Sequence, residues 1–270
     1  MRLSEAVILA LVQGITEFMP ISSSAHLILL PYVLGWAEHG LTFDVVTNAG
    51  TLTAAVIYFR RDLWRTWREA RRSFSLRAER PNLALLTAAA TLPVALVGLT
   101  FHGFFATGAR SPLLIAATSI GFGLVLWWAD ATARARRDLD ELGWRDAMLI
   151  GSAQALALVP GTSRSGITWT AGLFLGYNRE DAARFSFLLA IPVGLLALAK
   201  DLVDLTRSGL ETSALLPLVV GFFVAGISAY TTIGFLLAWV RRQRLTVFVV
   251  YRVLLGLLIL GLFLGRTPPL

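Results

Sequence analysis

The sequence predicts an all-α polytopic membrane protein with about six full transmembrane helices plus two re-entrant helix–loop–helix segments in an inverted-topology repeat. Three observations carry that expectation. The chain of 270 residues is 56% hydrophobic, with a mean hydropathy of +0.68. Apolar runs long enough to cross a bilayer recur along its whole length. Two further apolar stretches are each broken by a polar, proline-containing centre, and these two resemble one another.

Composition narrows the chemistry. Cysteine is absent, which excludes disulfides, thiolate nucleophiles and Cys-ligated metals. The net charge of +7 comes almost wholly from arginine, Lys200 being the only lysine. Such a charge in a soluble chain would point to nucleic acid, but these arginines cluster in short loops between apolar runs, the pattern of membrane topology. No nucleic-acid partner is expected; the lipid bilayer is. The amino-terminal stretch has no cleavable signal pattern, because polar residues interrupt its apolar run.

In chain order, full spans are expected at 42–59, 82–101, 111–129, 182–200, 214–238 and 246–264. The broken segments are 3–36 and 146–177. Non-helical backbone at membrane depth persists only where it is buried in protein or lines a wet cavity. "EAVILALVQGITEFMPISSSAH" can be laid on "DAMLIGSAQALALVPGTSRSG" with a one-residue gap. Gln13 then meets Gln154, Pro20 meets Pro160, and Ser22–Ser24 meet Thr162–Arg164. Three full spans follow each broken segment, so a single membrane domain of 1–270 would contain repeats at approximately 1–130 and 145–270. An odd number of spans between them inverts the second, the layout that builds midplane sites in many transporters.

Loop charge tests the layout independently. Residues 60–80 carry eight arginines against three acids, and 131–145 and 241–244 are also basic. The expected topology puts all three on one face, which is then cytoplasmic. The opposite face receives 102–110, with only Arg110, and 201–213, with Arg207 against Asp201, Asp204 and Glu211. The tryptophans at 64, 67, 127, 128, 144 and 239 fall near predicted interfaces and read as belt anchors.

In this layout the two broken centres meet near the bilayer midplane. They bring Glu17, Ser22, Ser23, Ser24 and His26 towards Thr162, Ser163, Arg164, Ser165 and Thr168. Each hydroxyl run follows a proline and should begin the second half-helix, where free N–H groups and the helix dipole favour an anion such as phosphate. Arg164 offers a planar fork for paired phosphoryl oxygens. Glu17 beside an anionic ligand makes most sense with a divalent cation between them, Mg²⁺ or Ca²⁺. His26 can carry protons or attack phosphorus. Taken singly, each hydroxyl is an ordinary packing group of membrane helices, and a lone Arg–Glu pair is as readily structural. Matched hydroxyl runs after a proline in both repeats favour a phosphate or diphosphate site. Asp44 and Asn48 share a helical face and either line the same cavity or bond a neighbouring helix. His39 and His102 fall near loop ends and receive no role.

The stretches "QGITEFMPISSSAH" and "PGTSRSG" resemble the two signature segments of the undecaprenyl-diphosphatase family, also called bacitracin-resistance proteins. "FDVVTNAGTLTAAVIYFRRDL" (43–63) and "RFSFLLAIPVG" (184–194) extend the likeness over essentially the whole chain. The resemblance implies a metal-dependent enzyme of the bacterial cytoplasmic membrane that hydrolyses undecaprenyl diphosphate to undecaprenyl phosphate and inorganic phosphate. That activity recycles the lipid carrier of cell-wall synthesis and confers bacitracin resistance. It implies a site opening to the extracytoplasmic face, with Glu17 holding metal or activating water and Arg164 binding phosphate. Water, Ser23 or His26 would attack phosphorus, with Ser22 and Ser24 beside them. Ser163, Ser165 and Thr168 would bind phosphoryl oxygens, with Gln13 and Thr162 alongside. Many relatives carry a second Glu where this chain has Gln13, so a bound ion here would lean on Glu17. A secondary transporter or lipid flippase with a midplane anion site is the rival reading, and a bacitracin-sequestering scaffold a further one. Oligomeric state is left open, a homodimer included.

Overall fold

The computed structural model describes residues 1–37, 39–72, 82–101, 111–208 and 215–264. Parts of three charged loops, with His102, Arg110 and Glu211, lie outside the described residues. Eleven α-helices occupy the described chain: α1 (Leu3–Phe18), α2 (Ser23–Leu34), α3 (Gly40–Tyr58), α4 (Arg60–Arg72), α5 (Leu83–Thr100), α6 (Pro112–Thr132), α7 (Trp144–Gln154), α8 (Arg164–Phe174), α9 (Arg179–Ser208), α10 (Leu215–Val240) and α11 (Thr246–Leu264). Six of these (α3, α5, α6, α9, α10 and α11) are long and apolar enough to span a membrane. The chain is an all-α, multi-pass membrane protein. Each of the six coincides with a predicted span to within a few residues, α9 alone running further at its carboxyl end.

The remaining apolar helices come as two broken pairs, α1–α2 and α7–α8. At about 1.5 Å per residue none of the four reaches across a hydrocarbon core of about 30 Å. The second pair returns to where it began: Tyr177, just past α8, donates its hydroxyl to Asp146 in the first turn of α7 at 2.7 Å. In the first pair, Trp36 beyond α2 packs on a cluster containing Ala6, Leu9 and Ala10 of α1.

Ion pairs gather the arginine-bearing helix ends into one layer. Arg179 holds Asp130 at 2.5 Å, Arg137 holds Asp146 at 2.6 Å and Arg241 holds Glu180 at 2.6 Å, while Arg184 pairs with Asp62. The carboxyl ends of α3, α6 and α10 and the amino ends of α5, α7, α9 and α11 therefore share one end of the bundle, Asn82 tying α5 to Thr66 of α4. In that layer Tyr177 is pushed above its ordinary pKa by burial and by its bond to Asp146, so it stays a donor at neutral pH.

Packing exchanges the two halves of the chain. α1 and α3 lie on α10, whereas α7 and α9 lie on α5, and α6 pairs with α11. Lipid gives helices no hydrophobic incentive to associate, so close approach through small residues replaces it. A side chain at Gly14 would meet Ser228 Oγ at 1.9 Å, one at Gly50 the Phe222 carbonyl at 2.4 Å, and one at Gly151 the Ala90 carbonyl at 2.2 Å. Gly50→Val is therefore expected to force α3 off α10, at a cost of about 1–3 kcal/mol. Thermal unfolding in detergent should show a lowered midpoint, while Gly121→Val, at a position facing open space, should leave it unchanged.

Candidate functional site

Both helix breaks are built on the same backbone device. The residue that caps α2, Ser22, has φ 71°, and the residue that caps α8, Ser163, has φ 70°. The left-handed region is costly for a residue with a Cβ, so two serines held there in matching positions mark strain that the surroundings must sustain. Each break also repeats a hydroxyl contact, Ser22 Oγ with Ser24 Oγ at 3.1 Å and Ser163 Oγ with Ser165 Oγ at 3.3 Å. The backbone thus matches Ser22 to Ser163 and Ser23 to Arg164, in one register with Gln13 and Gln154 and without a gap. Aligning prolines had matched Ser22 to Thr162. The strained dihedral, rather than the proline, is what the two breaks hold in common.

From these breaks the structure assembles a polar centre on Glu17. Arg164 Nη2 donates to Glu17 Oε1 at 2.9 Å, and its Nη1 donates to the Ala190 carbonyl of α9 at 3.3 Å. Ser23 Oγ donates to Glu17 Oε2 at 2.8 Å, and Gln13 Nε2 to the same oxygen at 3.1 Å. Gln13 Nε2 also reaches Asn48 Oδ1 on α3 at 2.6 Å. The Glu17 and Arg164 side chains keep about a fifth of their surface open, 20% and 21%. Of the pair on α3, Asn48 belongs to this centre, while Asp44 bonds His39 at 2.8 Å.

The other predicted residues are placed differently. His26 Nδ1 meets the Ser22 carbonyl at 2.7 Å and its Nε2 meets the Tyr251 hydroxyl at 2.6 Å. Because a carbonyl only accepts, Nδ1 donates to it, and in the neutral tautomer that this selects, Nε2 accepts from the Tyr251 hydroxyl. No hydrogen bond among the described residues joins His26 to Glu17. Ser165 Oγ crosses to the Met19 carbonyl at 2.9 Å, tying one break to the other. Thr168 bonds the Arg164 carbonyl and Ser186 Oγ. Ser163 caps Gly166 N at 3.2 Å, whereas Ser22 makes no side-chain cap, so the first amides of α2 have no such partner. Ser24 is exposed beside them, and Thr162 is buried.

Arg252 of α11 is the residue that sequence reasoning passed over. It is fully buried, and its guanidinium donates to the carbonyls of Ser119, Pro20, Thr118, Gly161 and Thr162 at 2.9–3.4 Å. One cation thereby holds the backbone of both breaks and of α6. The signal was available: a single arginine inside an apolar span is itself a sign of function.

A divalent cation can be weighed against these donors. Gln13 Oε1 is buried without a hydrogen-bond partner, beside the Glu17 carboxylate. Both are hard oxygen donors of the kind Mg²⁺ and Ca²⁺ take. No cluster of three or more His, Asp or Glu exists among the described residues, so the donors fit an ion shared with ligand phosphates rather than one enclosed by protein.

Comparison with known proteins fits this geometry. The family described as bacitracin resistance protein BacA matches residues 6–258. The chain is 55% identical to the undecaprenyl-diphosphatase of Magnetococcus marinus, covering 96% of this chain and 98% of that protein. It is 47% identical to undecaprenyl-diphosphatase 2 of Stutzerimonas stutzeri, over 98% of this chain and all of the relative. Identity to the undecaprenyl-diphosphatase of Thioalkalivibrio sulfidiphilus is 46%, over 97% and 100% of the two chains.

Proposed function

The chain belongs to the bacitracin resistance protein BacA family, and we propose that it hydrolyses undecaprenyl diphosphate to undecaprenyl phosphate and inorganic phosphate. The observation that carries the reading is the Glu17–Ser23–Arg164 constellation at the amino end of α2. A hydroxyl donating to a carboxylate is the arrangement of an attacking group and its base. The guanidinium on the same carboxylate, held also by the Ala190 carbonyl, keeps further N–H donors of its five for phosphate.

The uncapped amides of α2, with the hydroxyl of Ser24, receive the terminal phosphoryl group. Ser23 Oγ attacks its phosphorus and passes its proton to Glu17 as the bond to the bridging oxygen breaks. That oxygen leaves with undecaprenyl phosphate. Once Glu17 has lost that proton to solvent, water attacks the phosphoserine and gives a proton to Glu17, which passes it to Ser23 Oγ as the O–P bond breaks and inorganic phosphate leaves. Arg164 spreads the charge that gathers on the phosphoryl oxygens in both steps. His26 and Tyr251 hold the Ser22 carbonyl, and so the strained turn that aims α2. Ser163, Ser165 and Thr168 set the position of Arg164. Where Mg²⁺ or Ca²⁺ is bound, Glu17 and Gln13 Oε1 would hold it, and it would neutralise diphosphate charge.

The exchange packing and the matched serine turns support two inverted repeats, approximately 1–130 and 145–270. The ion-paired arginine layer supports that end being cytoplasmic and the site opening on the other side. Purified protein in detergent should release phosphate from undecaprenyl diphosphate with Mg²⁺ or Ca²⁺ and lose that activity in chelator. Absence of release under all ions would defeat the proposal, and release unchanged by chelator would defeat its metal component.

A further inference from the structure

Beyond the catalytic centre, at the arginine-bearing end of the bundle, the carboxyl ends of α6 and α8 flank an open cavity of about 420 Å³. That size lies within the range of small-molecule sites, about 300–1,000 Å³. Arg134, Arg136 and Arg137 line it together with Thr132, Phe174 and Gly176. The linking segment is fixed rather than loose: Arg136 N and Arg137 N both donate to the Gly176 carbonyl, at 3.1 and 3.0 Å.

The three cations are not equivalent. Arg137 is engaged, by Asp146 at 2.6 Å, by the Leu175 carbonyl at 3.1 Å and by the Tyr177 ring 4.5 Å from its guanidinium carbon. Arg179, Arg184 and Arg241 of the same layer are likewise paired with carboxylates. Arg134 and Arg136 have no carboxylate partner among the described residues, and no acidic residue lines the cavity. Two uncompensated guanidinium groups at a cavity of this size ask for an anion.

The membrane side of the cavity is amphiphilic. Phe174, which lines it, is 47% exposed and packs edge-on against Trp128, 58% exposed, with ring centroids 5.3 Å apart. Leu124, Trp128 and Thr132 follow one another at four-residue spacing on α6, so an exposed apolar track leads along one helical face to the arginines. Phosphate over arginine, glycerol at the aromatic pair and an acyl chain along the track is the order of groups in a phospholipid.

We propose that this cavity binds the headgroup of an anionic phospholipid. A zwitterionic lipid would bring an ammonium group to a lining with no carboxylate, so anionic headgroups are preferred. The inference is independent of the hydrolytic reading, since it uses none of the residues bonded to Glu17.

Native mass spectrometry of the intact protein from mixed micelles of phosphatidylglycerol, phosphatidylethanolamine and phosphatidylcholine tests it. The expected result is selective retention of phosphatidylglycerol, reduced at least about tenfold in R134Q/R136Q and unchanged in R242Q/R244Q, which removes equal charge from an exposed turn of the same layer. Because Arg134 and Arg136 are exposed and unpaired, the melting midpoint should not move. Equal retention by R134Q/R136Q, equal loss in R242Q/R244Q, or equal uptake of phosphatidylethanolamine would overturn the proposal. Displacement of the lipid by equimolar inorganic phosphate would overturn it too, by showing a small-anion site.

Discussion

Arg164→Ala is expected to lower kcat for undecaprenyl diphosphate by at least about 10²–10³-fold, the loss typical of removing a group aimed at developing charge. Arg164→Lys should recover little of it. A lysine reaching Glu17 Oε1 would have no planar fork of further donors for phosphate and no second nitrogen for the Ala190 carbonyl. Glu17→Gln should be as severe, since it removes the acceptor of the Ser23 hydroxyl and leaves Arg164 without its counter-charge. Ser23→Ala should match both if Ser23 attacks. The decisive comparison is the Glu17→Gln/Arg164→Ala double variant. Groups that work as one unit lose activity once, so the double variant should be about as active as either single one. Multiplicative losses would show two separate roles, and substantial activity in Ser23→Ala would return the attack to water. Melting curves in detergent run alongside separate chemistry from folding.

How the centre could be anticipated differs from residue to residue. Hydropathy alone located α3, α5, α6, α9, α10 and α11, because a bilayer imposes length and apolarity on any spanning helix. The two breaks showed themselves through polar residues in apolar runs, and Glu17, Ser23 and Arg164 came with them. The register between the breaks did not. It depends on the left-handed backbone of Ser22 and Ser163, and no residue type announces that dihedral except glycine. The partner of His26 was equally hidden, since Tyr251 stands 225 residues away and a tyrosine in an apolar span does not announce which side chain it meets. Hydroxyls show the same limit. Ser165 and Thr168 read like phosphate ligands, yet their bonds run to Met19, to Ser186 and to their own helix, and only tertiary contact distinguishes the two uses.

Arg252→Met is expected to have the largest effect on the fold of any substitution at the centre. A buried guanidinium without a carboxylate is tolerable only because five backbone carbonyls surround it, two from α6, one from the first break and two from the second. Removing it leaves buried carbonyls short of a donor, at about 1–3 kcal/mol for each that finds no substitute, so the loss should exceed about 3 kcal/mol. Arg252→Lys keeps the charge but concentrates it on one nitrogen, which cannot span Pro20 and Gly161 together as the fork does. The lysine variant should therefore fold with a lowered midpoint and show a reduced kcat, because Pro20 precedes the turn that aims Ser23. Charge makes a second, separable contribution. Glu17 and Arg164 neutralise each other, whereas Arg252 has only carbonyl partners, so the centre as a whole offers one net positive charge to a diphosphate. KM for the diphosphate should rise in Arg252→Met by about tenfold, the order of one lost charge interaction in a partly buried site, and stay near the parent value in Arg252→Lys. A melting midpoint and KM both unmoved in Arg252→Met would show that the two breaks hold their positions without this cation, and that the charge drawing substrate inward resides on Arg164 alone.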